Sequence, residues 1–253
     1  SVNGNGLQVF GTVTKSAVSS GADLVAYGPF SSSNGFVQPY NSDLDFGTGD
    51  FSVSVWHKGT GINDYIIARR TAALNAMYVF IHSSGTVQFF HGSASEIGST
   101  SIVTGEWTHI CCFRRNGRAY VYINGVEDTN GTSNGSVTLA DAKLGVGLRP
   151  DSLGTALSSG SLALLRISAT APSPEQIKKI YEDEKVLFQE GAQATLYGSS
   201  DAVTALAYDD STELLHVGTS AGRSVFQGLR RVDNTTDAVG AAISASNGLV
   251  AED

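Results

Sequence analysis

The sequence predicts an all-β protein: an antiparallel two-sheet jelly-roll sandwich with one short C-terminal helix, followed by a small β-meander. Three observations carry this. Short runs alternate with period two, the pattern of strands packed through their faces. Asn116-Gly117 and Asn124-Gly125 interrupt those runs where a primed hairpin turn needs positive φ. Glycine supplies 29 of 253 residues without a three-residue period, which points to many tight turns and away from collagen. A 41% hydrophobic content with 16% charged residues supports one large β domain, or one domain and a smaller partner, and excludes a wholly disordered chain.

Residues 1–29 are rich in Gly, Ser, Ala and Val. Their pattern is weak, with a strand around Leu7 to Thr14, and they read as an N-terminal lead-in or linker to a missing upstream part. From Asn34 the alternation is clear. Phe51, Val53 and Val55 interleave with Ser52, Ser54 and Trp56, as in a strand packed on both faces. Met77 to His82 and Thr86 to His91 flank Ser83-Ser84-Gly85 as a hairpin. Trp107 to Arg114 turns through Asn116-Gly117 into Arg118 to Ile123, and Lys143 to Leu148 and Ser161 to Ser168 add two strands. Many short strands at this spacing indicate a sandwich or jelly roll rather than a parallel sheet. Ser173, Pro174 and Gln176 form a capping box with proline in the first helical position, and Ile177, Ile180 and Tyr181 then share one face of a helix ending near Lys185. After Gln189 the composition returns to small residues. Val203 to Tyr208, Glu213 to Thr219 and Arg223 to Phe226 read as a three-strand meander, and Asp233 to Asp253 as a short helix or mobile tail.

The formal charge is −8, with 16 Lys+Arg against 24 Asp+Glu, and Arg69-Arg70, Arg114-Arg115 and Arg230-Arg231 are isolated pairs. Such a surface repels polyanions, so no nucleic-acid partner is expected. No apolar run approaches the ~18 residues of a membrane span and no basic-then-apolar leader opens the chain, so no membrane insertion is expected. Cys111 and Cys112 are adjacent, which on a strand sends them to opposite faces. Two free thiols, one in the core, and synthesis in a reducing host cytoplasm follow as expectations.

Asp50-Phe51-Ser52-Val53-Ser54-Val55-Trp56 with Lys58, Trp107-Thr108-His109 with Tyr120 to Val126, and Gly160 to Ile167 followed by Pro174-Glu175-Gln176-Ile177 and Tyr181 resemble, in order, the opening strand, central strands and closing strand and helix of laminin-G-like (concanavalin A-like) jelly rolls. The resemblance covers Phe30 to Phe188 and implies a fold that hosts lectins, adhesion modules, glycosidases and structural domains. It places a jelly roll at 30–188 and leaves 189–253 as a meander and tail, an oligomerisation or attachment segment. The Thr204 to Phe226 meander is similar to one β-propeller blade. Together the two parts resemble bacteriophage tail-fibre and appendage proteins.

Gly218-Thr219-Ser220-Ala221-Gly222 fits the G-x-S-x-G elbow of serine hydrolases, but a strand rather than a helix is expected after it, so a hairpin turn is the simpler reading. No strand carries the Glu-x-Asp-x-x-Glu spacing of glycosidases on this fold, and Glu182-Asp183-Glu184 is expected to be a solvated helix end. His109 is expected in the sheet, and His57, His82, His91 and His216 lack close ligand spacing. Trp56 and Trp107 are expected in the core.

Calcium is implied by the resemblance as the one cofactor to consider. Asp151 follows the Leu144-Gly145-Val146-Gly147 strand where such domains place a calcium aspartate, but the partner position shows Gly92-Ser93, with Asp64, Glu96 or Asp128 as substitutes. A glycan site on this fold would use rim loops that set an aromatic ring beside Asp, Asn or Arg. The sets available are Tyr65 with Asp64 and Arg69, His91 with Glu96, and Arg149 with Asp151. Asn130, Asn134 and Asn234 open formal glycosylation sequons that are expected to stay unmodified. The leading expectation is a non-enzymatic virion structural or adhesion module, located on the virion, binding host-surface glycan or protein, contacting other virion proteins and forming a homo-oligomer. A purely structural decoration or connector protein is the alternative, and a carbohydrate-active enzyme is disfavoured.

Overall fold

The computed structural model describes residues 6–59, 61–71, 76–92, 94–133, 135–151, 160–199 and 202–253. Chain contacts divide it into two compact units, one made of residues up to 16 with 26–181, the other of 17–25 with 182–253.

The first fourteen strands are β1 (Gln8–Phe10), β2 (Lys15–Ala17), β3 (Val25–Tyr27), β4 (Gly35–Gln38), β5 (Phe51–Lys58), β6 (Asp64–Arg70), β7 (Ala76–Ile81), β8 (Thr86–Gly92), β9 (Ala94–Ser101), β10 (Thr108–Arg115), β11 (Arg118–Ile123), β12 (Val126–Thr132), β13 (Leu144–Val146) and β14 (Ser161–Ser168). They build two seven-stranded sheets, ordered β1-β4-β13-β6-β7-β8-β9 and β12-β11-β10-β5-β14-β3-β2. The sandwich is antiparallel throughout its named pairings, and the all-β expectation is met. Asn116 and Gly117 (φ 50° and 72°), like Asn124 and Gly125 (51° and 79°), adopt the left-handed turns their sequence predicts.

The segment before Phe30 is not a lead-in. Gln8, Val9 and Phe10 of β1 pair with Val37, Phe36 and Gly35 of β4 in the first sheet, and Tyr27 pairs with Leu162 of β14 in the second. The strand expected around Leu7 to Thr14 is β1, whereas β2 and β3, three residues each, are too short to show a period. Strands β9 and β12 have no apolar alternation to read, and in β6 a bulge breaks it.

The core lies between the sheets. Phe51, Val53, Val55, Ile110, Cys112 and Val121 face Ile66, Ile67, Met77, Val79, Ile81 and Phe89. The second sheet is covered on its other face as well. There Cys111, Phe113 and Tyr122 meet Ile177 of α1 (Pro174–Lys185), and Tyr181 stacks on Trp56 at 5.8 Å. The capping box forms as predicted: Gln176 N–H donates to Ser173 Oγ at 3.2 Å, and Ser173 N–H donates to Gln176 Oε1 at 2.7 Å. Both thiols are buried and free, one on each face of β10, and burial pushes Cys111 up to about 12. Trp107, expected in the core, is half-buried and precedes β10, and Glu184, expected in solvent, is buried.

Two arginines are fully buried, one from each sheet. Arg69 of β6 donates to the Leu44 carbonyl (2.7 Å), Asp45 Oδ1 (2.6 Å) and the Leu139 carbonyl (3.3 Å). Arg114 of β10 donates to the carbonyls of Gly47, Gly49 and Gly135 at 2.6–2.8 Å and lies over the Phe51 ring. Burial works against the Asp45 carboxylate. The Leu139 N–H, Arg69 and the Tyr40 hydroxyl outweigh it and hold Asp45 below the usual carboxylate range.

The second unit holds a sheet ordered β15 (Val203–Asp209), β16 (Leu214–Thr219), β17 (Gly222–Gln227) and β18 (Arg230–Asn234), and a hairpin of β19 (Ile243–Ser246) and β20 (Leu249–Glu252). The meander therefore has four strands, the fourth hidden by its polar sequence, and the tail is a hairpin rather than a helix. Its turn is another Asn-Gly pair, Asn247-Gly248, with φ 51° and 77°. Asp209 joins the hairpin to the sheet by accepting from Gly248 N–H (2.6 Å) and Ser211 N–H (2.9 Å).

Replacing Arg69 with Met leaves a largely covered Asp45 charge and two carbonyls without their donor. Urea denaturation should show a loss of about 3 kcal/mol or more, and an unchanged midpoint would refute the anchoring role. The histidines set a pH window. Burial lowers His57, His91 and His109 from 6.5 to about 4, with Arg114 assisting at His91 and Arg166 at His109. Between these values the unfolded chain binds more protons than the folded one, so stability falls as pH drops through that interval. Asp45, depressed when folded, extends the decline below pH ~4. Unfolding midpoints followed by tryptophan fluorescence from pH 7 to 3 check this; a flat profile between 6.5 and 4 would count against it.

Candidate functional site

The outward face of the first sheet carries the chemistry. Along β7, Met77, Val79 and Ile81 point into the core, and Tyr78 and Phe80 point out. Along β8, Val87, Phe89 and His91 point in, and Gln88 and Phe90 point out. Register sets Tyr78 opposite Phe90 and Phe80 opposite both Gln88 and Tyr65. The rings therefore interlock: Tyr78 stacks on Phe90 at 4.8 Å, Tyr65 lies 4.6 Å from Phe80, and Tyr65 meets Tyr78 edge-on at 5.3 Å. Tyr78, Phe80 and Phe90 are half-buried, and burial raises the Tyr78 phenol. Among the described residues, the one α-helix lies on the other sheet.

A bulge in β6 turns Tyr65 to this face. Tyr65 pairs with Phe80 and Ile67 with Val79, leaving Ile66 extra, so Ile66 and Ile67 both enter the core. The Ile66 carbonyl accepts from Gly147 N–H at 2.9 Å, which ties the bulge to the end of β13. Gly145 faces outward opposite Ala68. A Cβ there would stand 2.5 Å from the Leu148 carbonyl oxygen and 2.8 Å from Pro150, so glycine lets the following loop fold back over the sheet.

That loop brings Arg149 over Tyr65, 5.5 Å from the ring centroid. Arg149 donates through Nε and Nη2 to both oxygens of Asp151, at 3.2 and 2.8 Å. Arg70 Nε lies 3.7 Å from Asp151 Oδ2, and its Nη1 donates to the Tyr65 hydroxyl at 3.3 Å. Burial opposes the Asp151 charge, but Arg149 and then Arg70 prevail and hold its carboxyl low; the same hydrogen bond raises Arg149.

Of the residues singled out in the sequence, Tyr65, Arg149 and Asp151 meet here. The others do not. Arg69 is a core anchor, and Asp64 is buried beside the bulge on a strand rather than in a rim loop. His91 is buried, with its Nδ1 2.7 Å from Ser133 Oγ. Glu96 lies half-buried on β9 and is raised by burial. Tyr78, Phe80, Phe90 and Arg70 were missed. Their signal was the presence of rings at the outward positions of strands whose inward positions were already apolar.

Sequence readings of other chemistry resolve as follows. The G-x-S-x-G stretch is the β16–β17 hairpin, without the strand-to-helix turn of an elbow. Asp151 does not fit a calcium ligand, since both its oxygens are bonded to Arg149 and two guanidiniums would oppose a cation. Asp128, one of its alternates, is committed too: it accepts from the backbone and hydroxyls of Ser99 and Thr100. Among the described residues no group of three or more His, Cys, Asp or Glu is placed to hold a metal ion. Ser93 and Asn134 lie outside the described residues. No helix among the described residues is long and apolar enough to cross a membrane.

Residues 31–178 match the family model described as the concanavalin A-like lectin/glucanases superfamily. No curated protein sequence matches the chain significantly. Among solved structures it is similar to domain 4 of AbnA, an extracellular GH43 arabinanase of Geobacillus stearothermophilus seen in complex with arabinotriose, at 23% identity and TM-score 0.51, over 68% of this chain and 82% of that one. It is also similar to the binding domain of Paraclostridial Mosquitocidal Protein 1, at 14% identity and TM-score 0.59, over 88% and 60%. The receptor-binding domain of a botulinum neurotoxin C/D mosaic serotype aligns at 14% identity and TM-score 0.55, over 90% and 57%. These identities speak to fold.

Proposed function

The chain belongs to the concanavalin A-like lectin/glucanases superfamily, and from that premise we propose that it is a non-catalytic saccharide-binding module whose surface is the Tyr65–Tyr78–Phe80–Phe90 face. The observation that supports this is three half-buried rings, Tyr78, Phe80 and Phe90, interlocked with the buried Tyr65 on the outward side of a sheet whose opposite face already forms the core. Sugars present C–H faces that stack on such rings, and their hydroxyls take hydrogen bonds from polar groups at the border. Here Arg70, Arg149 and Gln88 stand at that border. Hydrolysis is disfavoured, because paired carboxylates flank the bond in most glycosidases and Asp151 is tied to arginine.

The setting proposed for this module is a bacteriophage tail fibre or other virion appendage, where the roll engages glycan or protein on the host surface. Support comes from the motif resemblance and from the blade-like sheet that follows the roll. A second reading, a structural connector assembling as a symmetric oligomer, is favoured by Leu206 and Tyr208, 60% and 55% exposed on edge strand β15.

A bacterial envelope glycan array, followed by calorimetry on the best binder, tests the first reading. Tyr78→Ala and Phe90→Ala should each weaken binding at least about tenfold while leaving the unfolding midpoint nearly unchanged. Absence of any glycan ligand, or full affinity in both variants, would sink it. Light scattering tests the second: a defined oligomer that dissociates in Leu206→Asp is expected, and a monomer at high concentration excludes it.

A further inference from the structure

On the reading of this face as a saccharide surface, we infer that its ligand carries a carboxylate, as uronic-acid-class sugars do, and that Asp151 occupies the place of that carboxylate in the free protein. The geometry is that of a carboxylate receptor already filled from within. Arg149 presents its planar fork to one carboxylate, and Arg70 Nε stands 3.7 Å from Oδ2 of the same group. The Arg149 fork does not depend on Asp151 alone for its position, because the Tyr65 ring lies beneath it. Arg70 is likewise steadied by the Tyr65 hydroxyl.

Beside this trio lies a pocket of about 310 Å³, lined by Arg70, Thr71, Asp141, Lys143, Pro150 and Asp151 among others. With Arg149 it gathers three cations against two carboxylates, a local positive surplus in a chain of net charge −8. The pocket adjoins the ring face through Arg70, which bonds Tyr65 beside Tyr78, so a sugar stacked on the half-buried Tyr78 and Phe90 can extend a carboxylate toward the guanidiniums.

Exchange of one carboxylate for another accounts for selectivity. An acidic sugar replaces Asp151 on Arg149 and Arg70 and leaves both guanidiniums paired. A neutral sugar in the same place would displace Asp151 and leave two partly covered charges without an anion. Asp151 is two residues from Arg149 on one loop, so its release is a local motion. The freed aspartate turns to solvent, and the positive surplus of the pocket draws acidic sugars in.

Calorimetry with a galacturonate trisaccharide and its methyl ester tests this. The acid should bind more tightly than the ester, and the difference should shrink at high salt. Asp151→Asn should raise affinity for the acid about five- to tenfold, since the internal competitor is gone. Arg149→Met should abolish the preference, with thermal unfolding confirming that the variant is folded. Equal binding of acid and ester, or weaker acid binding in Asp151→Asn, overturns the inference and leaves the saccharide-binding reading standing. If neither trisaccharide nor any arrayed glycan binds, the reading falls and the inference with it.

Discussion

The burial of Arg69 is the constraint on which the rest of the sandwich turns. A guanidinium is costly in an apolar interior unless its donors are met, and here Leu44, Asp45 and Leu139 take both terminal nitrogens from two separate loops. Arg114 repeats the device from the opposite sheet, on Gly47, Gly49 and Gly135. The loops that close this end of the roll thereby acquire fixed positions without a disulfide or a strand. The same burial fixes the facing of β6. With Arg69 inward, Ala68 and Arg70 must face outward, and the bulge at Ile66 carries Tyr65 out with them.

The two sheets use their second faces differently. Helix α1 roofs one of them, where Ile177 covers Cys111 and Phe113 and Tyr181 covers Trp56. On the other, Tyr78, Phe80 and Phe90 are left half-buried at the surface and pack against one another and Tyr65. Large rings contribute most to stability when fully covered. A face of half-covered rings therefore retains apolar area that a flat ligand can bury, and the cross-strand pairs hold it rigid in advance.

Most of the roll was legible in the sequence because its central strands alternate cleanly and its turns are marked by Asn-Gly. The α1 boundaries follow from Ser173, Pro174 and Gln176 in the same way. The site was legible only in part, and β6 shows why. A strict period of two puts Tyr65, Ile67 and Arg69 on one face, which makes Tyr65 and Arg69 natural partners. One extra residue in the bulge separates them to opposite faces, and nothing in Asp64–Arg70 marks its place. Tyr78, Phe80 and Phe90 were hidden for a different reason. Rings on both faces of a strand look like deep core, and only the sheet order, with the helix on the far side, reveals which rings are uncovered. The polar edge strands β9, β12 and β18 lack the apolar contrast on which periodicity depends.

Two hydrogen-bonded arginine–aspartate pairs among the described residues of this unit, Arg69–Asp45 and Arg149–Asp151, have surroundings that give them different roles. Arg69 and Asp45 are 24 residues apart, the guanidinium fully buried, and each is held further by backbone groups of Leu44 and Leu139. Separating them would strand a charge in the interior, so the pair is permanent architecture. Arg149 and Asp151 are two residues apart on one loop, each partly open to water. Both partners sit on the same loop, so the pair can part by a motion of that loop that leaves the sheets in place. What the loop preserves on opening is the orientation of Arg149 over Tyr65, which the ring maintains. A long-range pair and a local pair of the same chemistry thus divide the work: the first holds the scaffold rigid, and the second leaves a guanidinium poised beside an aromatic surface with a partner it can exchange.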